Sequence, residues 1–394
     1  MRRHLFARPL SSLAIFGLAS AVLFGCGAGP QADTGVAEAV QQMRAAAEIA
    51  PLPGDEQVIQ VIAFGSCANQ TNPQPIWDDI ADAGPDLFLF IGDNMYADLD
   101  RRFREITLQD VHDAWAGLGA LAPFEAFRKK VPILATWDDH DYGLNDAGAE
   151  LPFKDGAQDA LLAFFHEPQD SPRWEQEGIY GSWAFGPAGK RTQIIVLDTR
   201  YHRGELNRNP LGRVSGKGPY VPHEGADAPG FLGEAQWAWL EEALQEPADL
   251  RVIASSVQVV ADEHGWETWG NFPAERQRLF ELIETTGAAG VVFVSGDRHL
   301  MELSVDPDLG PYPVVDFTSS GLNWWAPAGK EEETVRDANR FRVGEPFRYD
   351  NYGLIKIDWS QPDPEVTLLG VDGRGDVRIE HAVTLGELRS ANND

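Results

Sequence analysis

Basic residues are scarce in this chain: 32 Lys and Arg stand against 61 Asp and Glu, for a formal net charge of −29. Such a field repels nucleic acid and anionic lipid, so no nucleic-acid-binding surface is expected. It also sets a condition on any anionic substrate, whose site has to be neutralised locally, and bound cations would do so. Cysteine is scarcer still, with only Cys26 and Cys67 in 394 residues. The sequence has no Gly-x-Ser-x-Gly elbow at a strand-to-helix turn, which removes the common serine hydrolase arrangement. A cysteine-based phosphatase is excluded as well. Pro73 stands six residues after Cys67 where an Arg would be needed, and no Gly lies between them to form a phosphate cradle. There is no internal repeat.

Long apolar runs are also missing, apart from Leu10 to Phe24. That run follows Arg2, Arg3 and Arg8, has the layout of a secretory signal and is short for a membrane span. It ends Leu23-Phe24-Gly25-Cys26, which resembles a bacterial lipobox, so residues 1–25 are expected to be a lipoprotein signal peptide and Cys26 the lipidated residue. Gly27, rather than Asp, follows Cys26, which points to the periplasmic face of the outer membrane or the cell surface. Loss of the leader's three arginines takes the net charge to −32. With Cys26 carrying lipid, Cys67 has no partner in an oxidising compartment and has to be buried or ligated.

Residues 26–56 are small and polar, with a candidate helix around Val36–Ile49, and are expected to form a tether. From residue 57 to 394 the pattern is that of one domain. Strands at Val58–Phe64, Asp86–Ile91 and Val131–Thr136 alternate with helices at Ile76–Ala83 and Thr107–Lys130, the latter broken near Pro123. Ile179–Phe185 and Arg191–Asp198 are spaced as a hairpin. Strands Leu250–Val260 and Ala289–Ser295 bracket a helix at Pro273–Thr286, and a β-rich tail follows from Tyr312. This order predicts an α/β fold of mixed sheets covered by helices. The Gly/Pro-rich stretch 203–232 is long for a structureless loop, and such excursions are usually functional.

Four strands end in chemistry-bearing residues: Gly65-Ser66-Cys67, Gly92-Asp93-Asn94-Met95-Tyr96, Trp137-Asp138-Asp139-His140-Asp141 and Ser295-Gly296-Asp297-Arg298-His299. Ligands bind at the carboxyl ends of strands in open α/β sheets. Together the four ends offer carboxylate, imidazole, thiolate and phenolate. Carboxylates suit hard cations, whereas the other donors favour a transition metal, with phenolate a good partner for Fe³⁺. A carboxylate between two cations bridges them, and a two-metal site positions hydroxide for in-line displacement.

These motifs, with Leu197-Asp198-Thr199-Arg200, resemble in order those of the alkaline phosphatase D family, extracytoplasmic phosphomonoesterases and phosphodiesterases on the calcineurin-like metallophosphoesterase fold. The resemblance runs from about Val58 to at least Gly321. It implies a layered metallophosphoesterase sandwich, two mixed β-sheets flanked by helices, holding one iron and one or two calcium ions (Fe³⁺ and Ca²⁺). It implies Cys67 and Tyr96 as iron ligands and Asp93 as the bridge. Asp139 stands where such enzymes usually carry Asn beside the catalytic His, here His140, and Asp297 and His299 match the last metal motif.

His140 is the expected general acid or stabiliser of the transferring phosphoryl group, oriented by Asp138. Arg298, Arg200, His264 and Asn94 are candidate substrate contacts, and Trp266, Trp269, Asn271, Asn323, Trp324 and Trp325 candidate rim residues. The expected function is release of phosphate from small organic phosphoesters. The alternative is a lipid-anchored protein that binds phosphate or metal without turnover.

Overall fold

The computed structural model describes residues 48–214, 217–225, 228–326 and 337–389. The expected leader, Cys26 and most of the candidate helix at Val36–Ile49 lie outside these residues. The run Leu87–Ile91 (β2) is buried along its whole length, as a central parallel strand requires. It pairs in parallel with Val61–Gly65 (β1) on one side and Ile133–Thr136 (β3) on the other. Asn351–Asp358 (β11), Glu365–Asp372 (β12) and Val377–Thr384 (β13) extend this sheet antiparallel, in the order β13-β12-β11-β1-β2-β3.

A second sheet of seven strands runs β10-β8-β9-β7-β6-β5-β4. Its strands are Gly181–Phe185 (β4), Thr192–Val196 (β5), Leu250–Ala254 (β6), Val291–Ser295 (β7), Met301–Asp306 (β8), Val314–Ser319 (β9) and Arg342–Phe347 (β10). Here β5, β6, β7 and β9 are parallel, and the rest antiparallel. The expected hairpin is thus β4–β5, and the fold is the expected pair of mixed sheets.

The sheets meet across an aromatic contact. Phe64 of β1 packs edge-on to Phe317 of β9, with centroids 5.3 Å apart, and its cross-strand partner is Gly353. A Cβ at Gly353 would lie 2.1 Å from the Phe64 ring, so only glycine lets the ring lie over β11. Helices cover the outer faces. Trp77 of Ile76–Asp82 (α1) sits 5.5 Å from Phe88 and 5.6 Å from Phe90, both on β2. Phe124 of Ala122–Arg128 (α3) closes on Trp77 at 5.0 Å. These edge-to-face pairs fill the layer with large rings in their favoured geometry. Lys154–Phe164 (α5) continues this layer through the stacked Phe124–Phe164 pair. Leu108–Gly119 (α2) adds Trp115, centred 4.5 Å from Phe164. On the other sheet, Phe280 of Pro273–Thr286 (α7) packs on Phe293 of β7, and Glu234–Gln245 (α6) neighbours α7.

Three expectations change. The strand expected over Leu250–Val260 stops at Ala254, because Val259 and Val260 donate their N–H groups to Asp316 Oδ2, at 2.7 and 3.0 Å, instead of to a neighbouring strand. Strands β8 and β10 were not anticipated. β10 contains Gly344 and Pro346, tolerated because it is an edge strand. Part of the stretch expected to be a tether, residues 26–56, makes backbone contacts with the domain. Ala50 N–H donates to the Arg128 carbonyl and Gly186 N–H to the Asp55 carbonyl, both at 2.7 Å, so residues 50–55 are fastened to the domain.

Candidate metal centre

Strands β1, β2, β3 and β7 release Cys67, Asp93, Asp139, Asp297 and His299 at their carboxyl ends, and backbone bonds knit those ends together. Cys67 N–H donates to the Gly92 carbonyl, Ala68 N–H to Asp93, Gly296 N–H to Ser256, and Leu322 N–H to Ser66. A short parallel bridge between Ser66 and Ser320 ties the two sheets at this point. The turns are tight and strained. Cys67, Asp93, Asp146, Asp297 and His299 all have left-handed backbones, with φ between 48° and 65°; among the described residues only His166 joins them outside glycine. Such a conformation costs of order 1–3 kcal/mol for a non-glycine residue and persists where the surroundings dictate it. Five of six such residues lie at this one site, so the fold gives up stability to aim these side chains.

Three groups of potential ligand atoms result, with the atoms of each group within 4.8 Å of one another: Cys67, Asp93 and His299; Asp93, Asp139 and His140; and Asp139, Asp146 and Glu267. Asp93 is shared by the first two groups and Asp139 by the last two. Tyr96 joins the first, its hydroxyl 3.2 Å from Asp93 Oδ2, and the Cys67 Sγ lies 3.3 Å from the same oxygen. Ser320 Oγ, 3.0 Å from that sulfur, also accepts the His299 N–H at 2.7 Å. The donor set fits cations. Asp93 Oδ1 and Asp139 Oδ1 are buried with no hydrogen-bond partner, and a buried ionised oxygen without partner is costly. Burial, reinforced by Cys67 and Asp139, pushes the Asp93 carboxyl well above the ordinary range. Burial does the same to Asp297, and raises the Cys67 thiol and Tyr96 phenol. Cations would reverse each of these penalties.

His140 lies in Asp139–Tyr142 (α4), next to Asp139 and within reach of Asp93. Its Nδ1 lies 2.6 Å from Asp98 Oδ1, and Asp98 is fixed by the Asn145 N–H at 3.0 Å and Arg101 at 3.1 Å. Burial works against the charged imidazole, but Asp139 and the Asp98 hydrogen bond outweigh it and hold His140 at about 9. The residue that orients His140 is therefore Asp98, not Asp138. Asp138 faces the other way and accepts from Arg200 Nε at 2.7 Å and Ser256 Oγ at 2.6 Å.

Arg200 is not a substrate contact either. It is fully buried, spanning Asp138 and Glu267, with Nη1 2.8 Å from both Glu267 oxygens. It thus braces β3 against the segment that carries Glu267. Arg200→Met would strand two buried carboxylates, and is expected to lower stability by about 3–5 kcal/mol in urea unfolding. Asn94 is buried and donates to the Thr136 carbonyl at 2.8 Å. His264 is buried, its Nδ1 taking the Trp266 N–H at 3.0 Å. Neither reaches the cavity. Of the candidate substrate contacts only Arg298 lines it, beside Asp297 and His299.

Asp98, Asp146 and Glu267 were missed from the sequence. Asp146 is held by its own N–H to Asp139 Oδ2 at 2.6 Å and by the Tyr220 hydroxyl, and burial with Glu267 nearby lifts it to about 7. The cavity at this site has a volume of about 460 Å³, and its lining includes Asp139, His140 and Asp146 together with Arg298, Arg213 and Trp266. That volume suits a small organic molecule.

A family model described as PhoD-like phosphatase matches residues 62–363. Alkaline phosphatase D of Bacillus subtilis (strain 168) is 25% identical over 284 residues, which cover 63% of this chain and 47% of that protein, so the chain spans about half the length of this curated relative. A solved structure of PhoD superposes with a TM-score of 0.62 at 17% identity, covering 84% of this chain and 73% of the other. The Plasmodium protein GAP50, described as the anchor in the inner membrane complex, superposes with a TM-score of 0.51 at 12% identity, covering 83% and 89%. These two likenesses show the fold, which carries unlike roles. With the family match over most of the domain and the metal-binding strand ends inside it, the chain belongs to the PhoD-like phosphatase family.

Proposed function

We propose that this protein is an exported, lipid-anchored, metal-dependent phosphoesterase that releases phosphate from small organic phosphomonoesters or phosphodiesters, with the lipid on Cys26. The observation that carries the reading is His140, its Nδ1 fixed 2.6 Å from Asp98 Oδ1 and its ring next to Asp93 and Asp139. A protein that merely captured metal or phosphate would have little use for a poised proton donor there. Cys67, Tyr96, Asp93 and His299 supply sulfur, phenolate, carboxylate and imidazole, a set suited to Fe³⁺. Asp139, Asp146 and Glu267 supply oxygen alone and suit Ca²⁺. When bound, such ions provide positive charge for phosphoryl oxygens and an activated water.

The protein's own groups do the rest. With Nδ1 committed to Asp98, the Nε2 proton of His140 is the one presented to a leaving-group oxygen. Arg298, tied to Asp337 at 3.0 Å, holds a guanidinium beside the phosphoryl position. The turns carrying Cys67, Asp93 and His299 are fixed before substrate arrives, so the geometry needs no reorganisation on binding.

Elemental analysis of purified protein, run beside hydrolysis of an aryl phosphate monoester and diester, tests the reading. Iron with turnover of either ester supports it, whereas no iron and no hydrolysis favours the binding-protein alternative. Asp98→Asn is expected to keep its metals and turn over about a hundredfold more slowly, with the alkaline limb of the pH–rate profile shifted to lower pH as the His140 proton is held less tightly. An unshifted limb would remove Asp98 from this role.

A further inference from the structure

Among the described residues of the long excursion between residues 203 and 232, Arg213 is the one that lines the cavity. It is exposed, whereas Arg298, which lines the same cavity, is buried and paired with Asp337. Among the described residues Arg213 makes no ion pair. Its guanidinium instead lies over the Trp266 ring, 4.2 Å from the centroid, and Arg298 sits 5.6 Å from the same ring. Stacking engages the face of a guanidinium, while its five N–H donors lie in the plane. The indole therefore takes one face of the Arg213 guanidinium, and among the described residues its N–H donors are uncommitted and free to meet a carboxylate or phosphate in two-point fashion. The same contact occupies a face of Trp266 that was expected to stack a leaving group.

The excursion is anchored where this side chain needs support. Gly218 N–H donates to the His264 carbonyl and Tyr220 N–H to Gly265, at 2.8 and 2.9 Å, so the loop is pinned to the segment that carries Trp266. Arg208 stacks on Tyr220, whose hydroxyl reaches Asp146. In a chain this acidic, a cation that lines an anion-handling cavity and makes no ion pair among the described residues has no structural task beyond its stacking on Trp266. The scissile phosphoryl group belongs beside the metal-binding groups and Arg298, which line the same cavity as Arg213.

We propose that Arg213 binds a second anionic group on the leaving-group side of the substrate, so that the site selects phosphoesters whose organic part itself carries a carboxylate or a further phosphate. This rests on the phosphoesterase reading for what occupies the inner position, but its test needs no turnover. Dissociation constants of benzylphosphonate and 4-carboxybenzylphosphonate would be measured by calorimetry on metal-loaded wild type, Arg213→Ala and Arg213→Lys. In wild type the carboxylate is expected to tighten binding roughly fivefold, the scale of one solvent-accessible ion pair. The ratio should fall to near one in Arg213→Ala and take an intermediate value in Arg213→Lys, which keeps charge but loses the stacked fork. A ratio that Arg213→Ala leaves at its wild-type value, or a wild-type ratio of one, overturns the proposal. A normal ratio in protein that hydrolyses no ester would sink the phosphoesterase reading while supporting this contact.

Discussion

Asp93→Asn is expected to lose metal and turnover together, with hydrolysis slowed about a thousandfold or more. Asp93 is the residue through which Cys67 and His299 on one side and Asp139 and His140 on the other are brought into one centre. One of its oxygens faces Cys67 and Tyr96, and the other has no protein partner. An amide keeps the shape but carries one acceptor and no charge, so it cannot bridge two cations or offset them. The loss of several kcal/mol of charge stabilisation corresponds to the slowing stated. The backbone also matters, because Asn tolerates a left-handed conformation, so the variant should fold. His140→Ala provides the contrast. It is expected to retain the metals of the Cys67 group while turnover slows about a hundred- to ten-thousandfold, as loss of a proton donor implies. Metal analysis and single-turnover kinetics on both variants separate the roles. Full activity in His140→Ala would remove the catalytic assignment, and normal metal content in Asp93→Asn would remove the bridge.

The centre of this site was legible because its ligands follow a recognisable local event. An apolar run of strand length that breaks into Gly-Asp or Asp-Asp-His places carboxylates at a strand end, and three such breaks, with Gly65-Ser66-Cys67 ending a fourth strand, point to a single place. Gly92 shows how local that signal is. Its φ of 100° and a would-be Cβ 2.6 Å from Asp138 demand glycine, and the glycine is visible in the sequence. The outer parts were not legible, because their roles depend on which distant segment they meet. Asp146 and Glu267 read as ordinary acidic loop residues until the fold brings both to Asp139. In the stretch from Glu263 to Glu267, His264 looked the more promising ligand, yet it is buried against Trp266 and Glu267 reaches the cavity. Arg200 misled in the opposite sense. An Arg after a strand end resembles an anion contact, and only the tertiary structure shows its charge consumed by Asp138 and Glu267. The left-handed backbones of Cys67, Asp93 and His299 were unreadable because the usual sign of positive φ is glycine.

Metal removal is expected to make this protein less stable as pH rises from about 4 to 8, a direction opposite to that of most acid-sensitive domains. The unfolded carboxylates titrate near their ordinary range, whereas in the folded, metal-free chain burial holds Asp138 up to about 6 and Asp146 up to about 7, with Asp93 and Asp297 also well raised. Between those limits the folded state binds more protons than the unfolded one. Stability that is complete below the unfolded value is then lost as pH climbs through the folded value, at about 1.4 kcal/mol per pH unit for each proton. His140, raised to about 9, acts in the same sense above neutrality. Asp139 is lowered, so its contribution is already in place above the ordinary carboxylate range and does not offset the trend. His264 and His299 are depressed by burial and run the other way, as do His112 and His381, but the carboxyls raised by burial outnumber them, Asp141 and Asp316 included. Bound cations replace the protons and abolish the effect, because ligation requires the ionised forms. The gap in Tm between metal-loaded and chelator-treated protein should therefore widen from about pH 5 to about pH 8, by roughly 10 °C if several kcal/mol are involved. An equal gap at the two pH values would mean that the acidic cluster is not where the metals bind.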